Sequence, residues 1–165
     1  MSDLKCALAE SCECPLDVLK DLKEDIARYL IQEKGYSPED IQFDVPLVVE
    51  VANKRLEAKI DLVVSVDGKP GMCIRCHPTS VVSRERGAMA AARLLCPDHV
   101  LPFAVQTNGV EYSILDCIAK KVVGHKREDL PSREELKKRL EKAVKLPPKR
   151  RPIEEKILYF YEGLG

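Results

Sequence analysis

No stretch of this sequence approaches the roughly eighteen consecutive apolar residues of a membrane-spanning helix, so no membrane partner is expected. The opening residues, MSDLKCALAESCECP, hold Asp3, Lys5, Glu10 and Glu13 and no continuous apolar core, so no signal peptide is expected either. Internal repeats and low-complexity segments are lacking too. Net charge is zero. Seven cysteines, an odd count on a chain expected to stay in the cytoplasm, are expected to be thiols rather than disulfides.

What is present suits one globular domain: 165 residues, 45% apolar and 33% charged. Charge is unevenly spread. Residues 1–44 carry 5 Lys/Arg against 11 Asp/Glu, whereas residues 118–151 carry 13 against 5. That second excess, which runs into Lys149, Arg150 and Arg151, fits either phosphate contacts or a solvated helix face.

Pro15 suits a first helical turn, and Val18, Leu19, Leu22, Ile26, Tyr29 and Leu30 recur at helical spacing before Gly35, which predicts a helix over 15–34. Three strand-like runs follow at 41–51, 57–66 and 71–77, separated by turn residues, and predict an antiparallel meander. The Ala-rich 82–95 predicts a crossover helix. Residues 101–106 and 110–118 predict a hairpin about Asn108-Gly109. A capping box at Ser132-Arg133-Glu134-Glu135 opens one helix, and another starts near Pro152. The expected architecture is α/β, a mixed sheet between helices: a tail at 1–14, a domain at 15–125 and a helical extension at 126–165.

Cys73-Ile74-Arg75-Cys76-His77 matches the C-x-x-C-H spacing of covalent haem attachment. On a strand, however, Met72, Ile74 and Cys76 face one way and Cys73, Arg75 and His77 the other, so the two thiols cannot converge. Cys6, Cys12 and Cys14 keep a Cys/His metal-binding protein open as an alternative, although their spacing is not that of a zinc knuckle. Asp61 interrupts the apolar run Ile60-Asp61-Leu62-Val63-Val64 and is expected to pair with Arg75.

This element order, with an Asp on the second strand and a charged-x-charged triplet on the third, resembles the restriction-endonuclease-like αβββαβ core of PD-(D/E)xK nucleases. More narrowly, the chain resembles the N-terminal domain of type I restriction enzyme R (HsdR) subunits and their short stand-alone relatives over about residues 16–125. The stretches that carry the likeness are Ala27-Arg28-Tyr29-Leu30-Ile31 through Gly35-Tyr36, Ala58 to Val64, and Val105-Gln106-Thr107-Asn108-Gly109. The tail Leu130-Pro131-Ser132-Arg133-Glu134-Glu135 is similar to the stand-alone forms.

The resemblance implies that Asp61 stands at the family's metal-binding Asp, Arg75 at its Glu and His77 at its Lys. Gly87 and Ala91 stand where the family's crossover helix tends to carry Gln and Tyr. In such nucleases the carboxylates hold Mg²⁺. An Arg in place of the Glu changes the local charge by two, which predicts an impaired site unless Glu24 or Glu50 has taken over as ligand. Two functions therefore compete: a nucleic-acid- or protein-binding module using Arg75, His77, Lys149, Arg150 and Arg151, and an active Mg²⁺-dependent DNA endonuclease. Expected partners are DNA and other restriction or nucleic-acid-processing proteins, and a homodimer stays open. Tyr159-Phe160-Tyr161 suits base stacking or helix docking. The sequence contains no helicase motor.

Overall fold

The computed structural model of the chain describes residues 15–163. The tail expected at 1–14, with the cysteines at 6, 12 and 14, lies outside them. The first helix, α1 (Pro15–Glu33), buries Ile26, Ala27 and Leu30 and ends where Gly35 turns left-handed at φ 81°. The meander follows as β1 (Ile41–Val51), β2 (Lys54–Val66) and β3 (Lys69–Cys76). Its two tight turns place Ala52, Asn53, Asp67 and Gly68 at positive φ, the twist that two-residue hairpin loops need.

The crossover helix α2 (Glu85–Leu94) buries Gly87, Ala88, Ala90, Ala91 and Ala92, whose small side chains let it lie close to the sheet. It delivers β4 (Phe103–Thr107) parallel to β3. The strand β5 (Tyr112–Asp116) returns antiparallel, followed by a short β6 (Lys121–Gly124) that the sequence reading had not anticipated. Last come α3 (Arg133–Glu141), where Ser132 Oγ accepts the Glu135 amide as the capping box requires, and α4 (Arg151–Gly163). No helix among the described residues is long and apolar enough to cross a membrane.

The mixed sheet runs in the order β1-β2-β3-β4-β5-β6 between two cores. One holds Ile26 and Leu30 of α1, Met72, Ile74 and Cys76 of β3, and Leu136 of α3. The other holds Cys73, Ala104 and Leu115 under Ala88 and Ala91 of α2 and Leu158 of α4. Leu136 and Leu158 are both fully buried, so the last two helices complete the cores.

One irregularity positions the site. Ile41 belongs to the α1 core and Leu47 and Val49 to the other. On β2, Ile60 belongs to the α2 core and Leu62 to the α1 core. Strict alternation would keep each set on one face. The phase flips at Asp44, which has φ 53°, and at Asp61; the ladder pairs Phe43 with Leu62 and Val45 with Ile60 on either side of them. The outer half of the β1–β2 hairpin thereby changes faces and packs with the α2 and α4 core. The β2–β3 ladder stops at Leu62 and Ile74, leaving a gap at Asp61.

Candidate active site

Asp61 closes that gap. Its Oδ2 accepts the Cys76 amide at 2.7 Å, an N–H that no β2 carbonyl reaches, and its Oδ1 lies 3.3 Å from Lys23 Nζ. Lys23 also donates to Asp44 Oδ1 at 2.6 Å, so one ammonium bridges the two carboxylates at the double kink. Burial opposes the Lys23 charge, but Asp44 and Asp61 outweigh it and hold the ammonium above its usual range. The Lys23 hydrogen bond in turn holds the Asp44 carboxyl below the usual range.

The pair expected between Asp61 and Arg75 is replaced by two others. Asp61 is drawn to α1 and the gap, whereas Arg75 follows Cys73 onto the opposite face. There it pairs with Glu162, in the last turn of α4, and both side chains are largely buried. Burial pulls Arg75 below its usual range, Arg84 adds to that, and Cys73 and Asp61 oppose it. Gln106 lies opposite Arg75 on β4 and is 2% exposed.

His77 lies just past the end of β3. Its amide donates to the Thr107 carbonyl at 3.0 Å, and its Nδ1 accepts the Thr79 amide at 3.2 Å. Burial, then Arg84 and Arg75, lower its pKa against the opposing field of Asp61, which favours the neutral imidazole.

Neither expected replacement carboxylate approaches Asp61. Glu24 is exposed and lines a neighbouring groove with Ile31, Ile41 and Phe43. Glu50 is exposed and lies six residues along β1 from Asp44, about 20 Å of extended strand. Asp44 joins Asp61 at Lys23, and Glu162 meets Arg75 on the other face; sequence reasoning missed both. Each already holds a cation. The donor set therefore does not fit Mg²⁺: Asp61 is shared by Lys23 and an amide, and Asp44 by Lys23 and Lys59. Among the described residues no three His, Cys, Asp or Glu side chains group as a metal site.

The Cys73 and Cys76 side chains occupy opposite cores, as alternation predicted. Burial pushes the Cys73 thiol up to about 12 and raises Cys76 as well, which keeps both protonated.

Lys149, Arg150 and Arg151 stand at the other end of α4 from Glu162. Eleven residues of helix separate Arg151 from Glu162, about 16 Å, so Arg75 and this basic cluster are two patches rather than one. Arg150 donates to Glu154 at 2.8 Å, while Lys120, Lys145 and Lys149 are exposed around an apolar cavity of about 440 Å³. Of the aromatic triplet, Tyr161 packs on Gly87, where an added Cβ would come within 3.0 Å of the Tyr161 Cβ, and Phe160 is exposed. Gly87 is thus a contact point for α4.

A family model described as the type I restriction enzyme R protein N terminus matches residues 22–131. Among solved structures, a fragment of an HsdR subunit of a type I restriction enzyme from Vibrio vulnificus YJ016 shares the fold, with a TM-score of 0.52 and 21% identity. The alignment covers 72% of this chain and 25% of that one, so the chain spans about a quarter of that relative's length. No curated protein matches. Both α3 and α4 lie beyond the matched residues.

Proposed function

Because this chain belongs to the family of type I restriction enzyme R protein N termini, we propose that it keeps the nuclease fold for binding nucleic acid and does not cleave it. The observation that carries this reading is the charge at the three positions the PD-(D/E)xK resemblance assigns. A carboxylate occupied by Lys23, a guanidinium and an imidazole replace two carboxylates and an ammonium. A dication brought beside Asp61 would meet the Lys23 ammonium. At an effective dielectric of about 20, even one like unit charge near 4 Å costs on the order of 4 kcal/mol.

The same charges favour phosphate. Arg75, within the field of Arg84, lies at one end of α4, and exposed Lys120, Lys145 and Lys149 surround the other. Contacts of this kind position a duplex without reading its bases, so the binding is expected to be indifferent to sequence. DNA is the proposed ligand, in or beside a restriction assembly. The cleaving alternative has one favourable observation: Asp44 supplies a second carboxylate opposite Asp61. It requires a dication to displace Lys23 from both.

Fluorescence anisotropy with a labelled duplex tests the binding. Two to four phosphate contacts predict a slope of about −2 to −4 in log affinity against log salt. A flat salt dependence, or no binding near 50 mM salt, about the low end of the usual range, contradicts the proposal.

A further inference from the structure

We propose that Arg75, Gln106 and Ser113 form an anion site for one phosphodiester group of a nucleic acid, and that Glu162 of α4 occupies this site until the nucleic acid displaces it. The proposal rests on the binding function above and adds its regulation.

The strand register sets Arg75 opposite Gln106 and Gln106 opposite Ser113. Cys73, Ala104 and Leu115, two residues away on each strand, belong to the core beneath α2 and α4, so the three polar side chains share that face. Such a row is unusual in a core. Gln106 is 2% exposed and Ser113 1%, and Ser113 Oγ has no hydrogen-bond partner among the described residues. Arg75 pairs with Glu162 of α4, and the Arg84 charge, from the turn before α2, acts on both Arg75 and His77. Asp61 is already shared with Lys23. Among the described residues Glu162 is the carboxylate paired with the Arg75 guanidinium.

A carboxylate and a phosphate present the same pair of acceptor oxygens to a guanidinium fork, so one can replace the other without rebuilding the site. The cover is built to lift. Leu158 and the pair between Glu154 and Arg93 anchor the first ten residues of α4, whereas its last turn is held by Tyr161 on Gly87 and by Glu162 itself. The helix α4 lies outside residues 22–131, the part of the chain that the family model matches.

Two variants open the site by different routes: Glu162→Gln removes the competing charge, and Gly87→Val pushes Tyr161 away. If the closed form holds about nine molecules in ten, each variant should bind a labelled duplex about ten-fold more tightly than the natural protein. Adding Arg75→Ala to Glu162→Gln should abolish the gain. Amide hydrogen exchange over residues 159–162 should quicken when duplex is added to the natural protein. If all forms bind DNA with one affinity and exchange there is unchanged, the displacement is overturned while the binding function stands. If none binds, both fall together.

Discussion

Glu154→Ala is expected to lower the free energy of unfolding by about 3–5 kcal/mol, the usual cost of leaving one member of a buried ion pair alone. The Arg93 and Glu154 side chains are 8% and 1% exposed, with Nη1 and Oε1 2.5 Å apart, and Arg150 donates to the same oxygen at 2.8 Å. Removing the carboxylate leaves the largely buried Arg93 guanidinium between α2 and α4 without its closest partner. For a domain of this size the loss corresponds to a fall in Tm on the order of 10 °C. Glu155→Ala is the matched control one residue away. Its partner Arg151 is 3.8 Å distant and half exposed, and such pairs contribute less than about 1 kcal/mol. Equal effects of the two substitutions in thermal and urea unfolding would mean that the Arg93 pair is not what holds α4 down.

Asp61→Ala is expected to cost about 2–3 kcal/mol, and that loss should be independent of any metal in the buffer. The Cys76 amide lies where β2 and β3 part, and Asp61 Oδ2 accepts its hydrogen. Alanine leaves that buried donor without a partner, a penalty of about 1–3 kcal/mol, and deprives Lys23 of one of its two carboxylates. Asp61→Asn keeps an acceptor for the amide and should recover most of the loss. The comparison separates two roles for the same residue. Loss of a residue that acts only as a metal ligand changes stability in step with the metal supplied, whereas loss of a strap between splayed strands weakens the fold in any buffer. An Asp61→Ala protein as stable as the natural one would sink the structural role given to Asp61.

Local signals in the sequence carried much of the fold. The spacing of Leu19, Leu22, Ile26 and Leu30 marked α1, and Asp67-Gly68 and Asn108-Gly109 marked their turns. Alternation in β3 assigned Cys73 and Cys76 to opposite faces, where the two cores hold them. The short strand β6 escaped because Val122 and Val123 alone are too brief a pattern to distinguish from a loop.

The site was less legible because its decisive contacts are not periodic. Ile41, Phe43, Val45, Leu47 and Val49 form an unbroken alternating series, and so do Ala58, Ile60, Leu62 and Val64. Nothing in either shows that the faces exchange at Asp44 and Asp61. That exchange sends Asp61 toward Lys23, which is why the expected pairing with Arg75 does not form. The carboxylate that Arg75 takes instead comes from the far end of the chain, on a helix whose own spacing reports only that Leu158 faces a core. Glu24 and Glu50 were reasonable candidates by element but stand away from the gap once the strands are laid out.

Cleavage is the property on which the account turns, and supercoiled plasmid reports it at the level of single nicks. Purified protein should leave the plasmid intact across a titration of Mg²⁺ and of Mn²⁺, under salt conditions in which the labelled duplex is bound. Nicking that needs the dication and disappears in Asp61→Asn, a variant that keeps the Cys76 hydrogen bond, would contradict it: Lys23 would then be a displaceable occupant of a working metal site made by Asp44 and Asp61.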